Sequence, residues 1–223
     1  GLGIAAAFLQ QIHDKEPDPA TARALDAYLM VGAEHGLNAS TFAARVIIAT
    51  RSDIASAICG AVGAMKGPLH GGAPAEVIGQ LGEIGSIDRA EDWARGKLSR
   101  KELIMGFGHR VYRAYDPRAA ALRKVAEAMP TRPAWLELAI GAEEQILKVF
   151  EEMKPGRAMK TNVEFYAAAV LQGVGLVPDL FPATFALARI AGWSAHAIEQ
   201  AGVDKLIRPD AKYIGHAERH LPA

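Results

Sequence analysis

The segment from Gly106 to Arg118, GFGHRVYRAYDPR, combines one histidine and three arginines with two glycines. Histidine and arginine side chains offer hydrogen-bond donors and positive charge, so an anion is the natural ligand of such a segment. The glycines allow a ligand to approach the main chain closely. A surface loop with solvated arginines is an alternative that charge and periodicity leave open.

A second segment, GPLHGGAPAE from Gly67 to Glu76, also places a histidine among glycines and prolines. A single histidine at a helix boundary is more often a cap or a satisfied polar group than a catalyst. Two histidines in separate glycine-containing loops, His70 and His109, indicate one built site.

Other charged side chains are candidates for the same site. They are His35, Arg118, Glu164, Arg189 and Arg208. Each has a structural alternative: Glu164 could be a first-turn helix charge beside a cap at Asn162, and the Arg189 stem could lie along an amphipathic helix. His13 and His196 have no loop context, and we interpret them as structural or surface residues.

Apolar side chains recur at three- and four-residue spacing through most of the chain, which predicts helices. The predicted helices are 4–13, 19–34, 42–65, 74–82, 88–98, 117–129, 133–153, 162–175 and 184–200. Ser40 or Thr41 is predicted to cap the third helix, and Asp116 the sixth, with Pro117 in its first position. Almost no segment alternates with period two, apart from the short, glycine-broken stretch 103–112. The predicted fold is therefore all-α.

Composition narrows the classes of function. The 223 residues include 25 lysines and arginines and 25 aspartates and glutamates. This balance disfavours nucleic-acid binding and favours a small-molecule ligand. The single cysteine, Cys59, excludes an intramolecular disulfide and favours a reducing, cytoplasmic location. No stretch has the uncharged length of a membrane span, and the first residues have neither the basic leader nor the cleavage pattern of a signal peptide.

The chain resembles the C-terminal part of a citrate synthase. The matching segments, in the family's order and approximate spacing, are EHGLNAST, GPLHGGA, GFGHRVYRAYDPR, NVEFY, FALARIAGW and RPDAKYIG. The resemblance implies a multi-helix fold with part of a large helical domain, residues 1–71 and 176–223. It implies a smaller domain, residues 72–175, that closes over the active site. It also implies a homodimer and a longer family pattern, in which further helices precede this segment.

The resemblance implies a reaction of the tricarboxylic acid cycle, in which acetyl-CoA and oxaloacetate form citrate and coenzyme A. His70 would donate a hydrogen bond to the thioester carbonyl while Glu164 removes a methyl proton, giving an enol or enolate. His109 would donate to the ketone oxygen of oxaloacetate, and citryl-CoA would then be hydrolysed. Neither a metal nor a tightly bound cofactor is implied.

The substrate contacts implied by the resemblance fall into two groups. His35, Arg118 and Arg189 would bind oxaloacetate, and Arg208 would enter the neighbouring subunit's site. The coenzyme A side would be lined by Gly106, Phe107, Gly108, Arg113 and Asn162.

Two positions depart from the family pattern. The family most often has aspartate where this chain has Glu164, and often asparagine where it has Pro74. An extra methylene displaces the carboxylate, and a misplacement of about 1 Å costs roughly 100-fold in rate. Two alternatives stay open. The matched motifs do not separate a citrate synthase from a 2-methylcitrate synthase that uses propionyl-CoA, and Glu164 slightly favours a truncated, noncatalytic or regulatory paralogue.

Overall fold

A computed structural model describes residues 1–67, 70–108, 115–129, 135–157 and 159–216. These ranges contain ten α-helices: α1 (Ile4–His13), α2 (Pro19–Gly32), α3 (Ala39–Ile48), α4 (Ile54–Met65), α5 (Ala73–Ile84), α6 (Ala90–Ser99), α7 (Pro117–Glu127), α8 (Leu136–Met153), α9 (Val163–Gly173) and α10 (Phe181–Val203). Two 3-10 turns, Ile87–Arg89 and Pro178–Leu180, precede α6 and α10. Within these ranges the only strand-like pairing is an isolated bridge between Phe107 and Thr161. The all-α prediction is confirmed.

Side-chain caps begin the two helices that carry the central candidates. The Asp116 carboxylate accepts a hydrogen bond from the Arg118 N–H at 2.9 Å at the start of α7, where Pro117 occupies the first turn. The Asn162 side chain accepts one from the Glu164 N–H at 3.0 Å at the start of α9. Both predicted caps are confirmed, and they place Arg118 and Glu164 in first helical turns.

The predicted continuous helix 42–65 is wrong. It is two helices, α3 and α4, and Arg51 between them has a left-handed φ of 64°. The Asp53 carboxylate begins α4 by accepting from the Ser56 N–H at 2.8 Å. Alanine-rich sequence on both sides conceals this break from periodicity alone.

The predicted cap of the helix at 42–65 is also wrong. Asn38 caps α3, because its side-chain oxygen accepts from the Thr41 N–H at 3.1 Å. Ser40 and Thr41 lie inside the helix and are buried. Ser40 is therefore available for a different contact.

The other predicted helix ends differ from the observed ones by up to three residues. One difference matters for the site: α2 ends at Gly32 and not at Glu34. The carbonyl oxygens of Gly32 and Ala33 accept hydrogen bonds from α10 instead of continuing the helix.

α10 belongs to two apolar clusters. Near its start, Phe181 and Ala188 pack into the main core with side chains of α1, α2 and α5–α9. Further along, Trp193 and Ala197 pack with α3 and α4 in a second cluster. Phe181 and Trp193 are both fully buried. Side chains along α10 can therefore reach groups that lie far apart in sequence.

No single helix in the described ranges is long and apolar enough to cross a membrane. One pair, α9 with the segment 178–203, has the length and composition of a membrane span when the two are taken together, but they are bent by 119° relative to each other. Most α9 residues lie in the main core.

Candidate active site

A turn at the end of α4 positions His70. The His70 N–H donates to Gly67 O, and the Gly71 N–H donates to Met65 O, each at 2.9 Å. A Cβ on Gly71 would lie 2.4 Å from Met65 O, so a larger residue would collide with the main chain. The glycine permits the close approach that fixes the histidine against the helix end.

A polar cluster orients the His70 ring. Its Nε2 lies 2.8 Å from Ser40 Oγ, which accepts from Trp193 Nε1 at 3.0 Å and lies 2.8 Å from Asn38 Oδ1. The indole can only donate and Asn38 Oδ1 can only accept, so in this arrangement the one hydroxyl proton of Ser40 points to Asn38. Its direction determines which His70 nitrogen carries the proton. Burial, followed by the positive charge of Arg189, lowers the pKa of His70 and favours a neutral ring.

Glu164 lies in the first turn of α9, with part of the residue reaching solvent. Desolvation raises the pKa of its carboxyl from 4.5 to about 7, although the positive charges of Arg118 and Arg189 act in the opposite direction. A carboxyl with this pKa exchanges a proton near neutral pH, as a general base must.

Asp116 joins the first turns of α7 and α9. Its buried carboxylate accepts from Arg118 Nε at 3.1 Å, from Arg118 Nη2 at 2.8 Å and from the Val163 N–H at 3.1 Å. Burial would raise the pKa of Asp116, but the hydrogen bonds from Arg118 outweigh burial and lower it. The arginine is thereby held beside the helix turn that carries Glu164.

Arg189 is almost fully buried in α10, at 2% exposure. Its Nε donates to Gly32 O at 2.7 Å, and its guanidinium carbon lies 4.9 Å from the centre of the Phe185 ring. Burial lowers the pKa of Arg189, and so does the like charge of Arg118. Two guanidinium groups that repel each other in a desolvated site favour an anionic ligand between them.

The glycine-containing segment 106–108 is fixed beside the start of α9. The Asn162 N–H donates to Gly106 O, and the Asn162 side chain donates to Gly108 O, both at 2.9 Å. The two glycines have φ values of 87° and 82°, in the left-handed region. The Phe107 side chain is buried against Phe150 and Phe165, so only the backbone of this residue can face a ligand.

The remaining predicted site residues have different positions. His35 is partly exposed in the loop between α2 and α3. Arg208 is exposed in the segment 204–216, which follows α10 without regular secondary structure. His109 and Arg113 lie outside the described residues. The structure therefore places Glu164 within electrostatic range of Arg118 and Arg189, and His70 within range of Arg189. It ties the 106–108 segment to Asn162 at the start of the helix that carries Glu164.

Sequence reasoning missed three contributors to this site. Ser40 was assigned to a helix cap, and neither Tyr28 nor Trp193 was proposed as a site residue. Burial raises the pKa of the Tyr28 hydroxyl strongly, and the charge of Glu164 raises it further, so this phenol is neutral. No local pattern marks these residues, because their partners lie far away in the sequence.

Comparison with known proteins identifies the family. The model of the citrate synthase C-terminal domain matches residues 1–210. A protein named putative citrate synthase 2 of Mycobacterium tuberculosis is 50% identical over 204 residues, which are 92% of this chain and 54% of that protein. A 2-methylcitrate synthase of the same species is 42% identical over 225 residues, covering 100% of this chain and 56% of that protein.

A solved structure agrees with these matches. The citrate synthase of Thermoplasma acidophilum, solved in a ternary complex with carboxymethyl coenzyme A and oxaloacetate, superposes with a TM-score of 0.90 at 34% identity. The match covers 100% of this chain and 60% of that one. The chain thus spans between 54% and 60% of the length of these three relatives.

Proposed function

Because the chain belongs to the citrate synthase family, we propose that it condenses acetyl-CoA with oxaloacetate to give citrate and coenzyme A. The observation that carries this proposal is the Glu164 carboxyl, whose pKa of about 7 is set by burial in a site that also contains Arg118 and Arg189. Such a carboxyl is suited to removing a proton from carbon in a site that attracts an anion.

In the proposed first step, Glu164 removes a proton from the acetyl methyl group, and His70 stabilises the resulting enolate by donating to the thioester oxygen. In this step the Ser40 hydroxyl turns from Asn38 Oδ1 to donate to His70 Nε2, so that a neutral His70 can donate from Nδ1. The enolate carbon then attacks the ketone carbon of oxaloacetate, with His109 protonating the new alkoxide. Water finally cleaves the thioester and releases coenzyme A.

Oxaloacetate is a dianion, and planar guanidinium groups match carboxylates with paired hydrogen bonds. Arg118 and Arg189 would hold it, with His35 as a further donor and Arg208 supplied by the neighbouring subunit of a homodimer. The coenzyme A side would consist of the segment 106–108, Arg113 and Asn162. Closure of residues 72–175 over residues 1–71 and 176–223 belongs to the same proposal, and the cytoplasmic location stays a prediction.

Condensation with propionyl-CoA is the second candidate. It is favoured by the 2-methylcitrate synthase that is 42% identical over the whole chain. The two reactions use the same proton transfer and differ by one methylene in the acyl group. A hydrophobic pocket discriminates one methylene by roughly 10- to 200-fold. The ratio of kcat/KM for the two acyl-CoA substrates therefore chooses between them.

The test is thiol release by the purified protein from acetyl-CoA and from propionyl-CoA, each with and without oxaloacetate. We expect release that depends on oxaloacetate and falls by at least about 100-fold in Glu164→Gln. Glu16→Gln, an exposed change in the loop between α1 and α2, is the matched control and should retain activity. A folded protein without release, or full activity in Glu164→Gln, would contradict the proposal.

A further inference from the structure

α10 holds the chain segment that leads directly into His35. Arg189 Nε donates to Gly32 O at 2.7 Å, and the Gly192 N–H donates to Ala33 O at 3.1 Å. A Cβ on Gly192 would lie 2.4 Å from Ala33 O, so the absent side chain is what permits this approach. The main chain is thus fixed at two consecutive residues shortly before His35.

The next residue, Glu34, is held by a histidine one turn further along α10. His196 Nε2 lies 2.9 Å from Glu34 Oε1, and His196 Nδ1 lies 2.9 Å from Arg45 Nη1. A guanidinium can only donate, so Nδ1 accepts and the ring proton lies on Nε2. His196 therefore donates to the Glu34 carboxylate in a defined tautomer.

The Glu34 carboxylate also bonds to the backbone around His35. Burial would raise the pKa of Glu34, but hydrogen bonds from the Gly36 N–H, from His196 and from the His35 N–H outweigh burial and lower it. Gly36 has a φ of 58°, so the chain turns sharply at this point. The carboxylate thus closes a turn whose centre is His35.

We propose that Glu34 and His196 are a positioning pair, which fixes the His35 backbone so that its ring can bind an oxaloacetate carboxylate. This inference rests on the proposed function. The Glu34 side chain is 53% exposed and that of His196 is 21% exposed. Pairs at this level of exposure contribute little to global stability. Loss of the pair should therefore weaken ligand binding much more than it weakens folding.

The experiment compares His196→Leu with His196→Gln. Leucine removes both hydrogen bonds, and we expect the Kd and the KM for oxaloacetate to rise roughly tenfold, with kcat changed less than about threefold. Glutamine has one amide acceptor for Arg45 and one amide donor for Glu34, and it should restore most of the affinity. Glu199→Gln, which breaks only the neighbouring ion pair with Arg45, is the matched control and should bind normally.

A double-mutant cycle with His35→Ala separates positioning from general damage. If His196 acts through His35, His196→Leu should change the Kd for oxaloacetate less than about twofold in the His35→Ala background. Glu34→Ala should reproduce the effect of His196→Leu and provides a second variant if the first is unstable. Calorimetric titration gives each Kd without turnover.

The outcomes are distinguishable. Equal losses of affinity in both backgrounds, or unchanged affinity in both single variants, would overturn the positioning role. Unmodified protein that does not bind oxaloacetate would overturn the proposed function and this inference with it. If the unmodified protein binds oxaloacetate normally, but the effects of His196→Leu and His35→Ala on the binding free energy are additive, only the inference would be overturned.

Discussion

Replacing Glu164 with glutamine should stabilise the fold in a pH-dependent way while it abolishes turnover. Desolvation raises the pKa of this carboxyl from 4.5 to about 7, so ionisation is unfavourable in the folded protein. Below pH 4.5 the carboxyl is mostly protonated in both the folded and the unfolded states, so its ionisation does not affect the unfolding free energy. As the pH rises from 4.5 to 7 the unfolded state ionises first, and the folded state loses relative stability.

The size of the effect follows from the two pKa values. The difference between 4.5 and about 7 corresponds to roughly 3 kcal/mol of unfolding free energy once the pH exceeds 7. This is an upper figure, because part of the residue reaches solvent. Glutamine is neutral at every pH and does not carry this cost.

Urea unfolding of both proteins between pH 4.5 and pH 8.5 measures the effect. The contributions of groups that titrate in both proteins cancel when one unfolding free energy is subtracted from the other. As the pH rises, the Glu164→Gln protein should become more stable relative to the unmodified protein, mostly between pH 4.5 and pH 7. A difference that is constant with pH, or that changes in favour of the unmodified protein, would refute the burial argument.

Further predictions concern rate and stability. The kcat/KM for acetyl-CoA should rise about tenfold from pH 6 to a plateau above pH 7, because the Glu164 carboxyl ionises over this range. A flat pH profile would exclude Glu164 as the base. Glu143→Ala should lower the free energy of unfolding in urea by roughly 3–5 kcal/mol. The buried Glu143 carboxylate accepts from the Tyr166 hydroxyl at 2.5 Å and pairs with Arg123 at 3.3 Å, and a loss below about 1 kcal/mol would contradict this prediction. Gly192→Ala should lower the thermal midpoint by a few degrees, about 1–3 kcal/mol, because its methyl group would collide with Ala33 O; an unchanged midpoint would show that the loop yields easily.

The helices could be predicted because their signals are local. Apolar spacing identifies the helical segments, and Asp116 and Asn162 begin α7 and α9 by bonding to N–H groups two residues away. The break between α3 and α4 escaped prediction because apolar periodicity is similar on both sides. Asn38 was missed as a cap because Ser40 and Thr41 are equally suitable residue types, and only the geometry distinguishes them.

Three features follow from the sequence alone: the residue types of the candidate site, the all-α class and the first-turn positions of Arg118 and Glu164. These depend on side-chain chemistry and on contacts within one helical turn. The tertiary structure decided which of these groups meet and how they ionise. Ser40 reaches Trp193 across 153 positions of sequence, and burial moves the pKa of Glu164 to about 7. Desolvation and charge depend on every group packed nearby, so no local pattern can encode them.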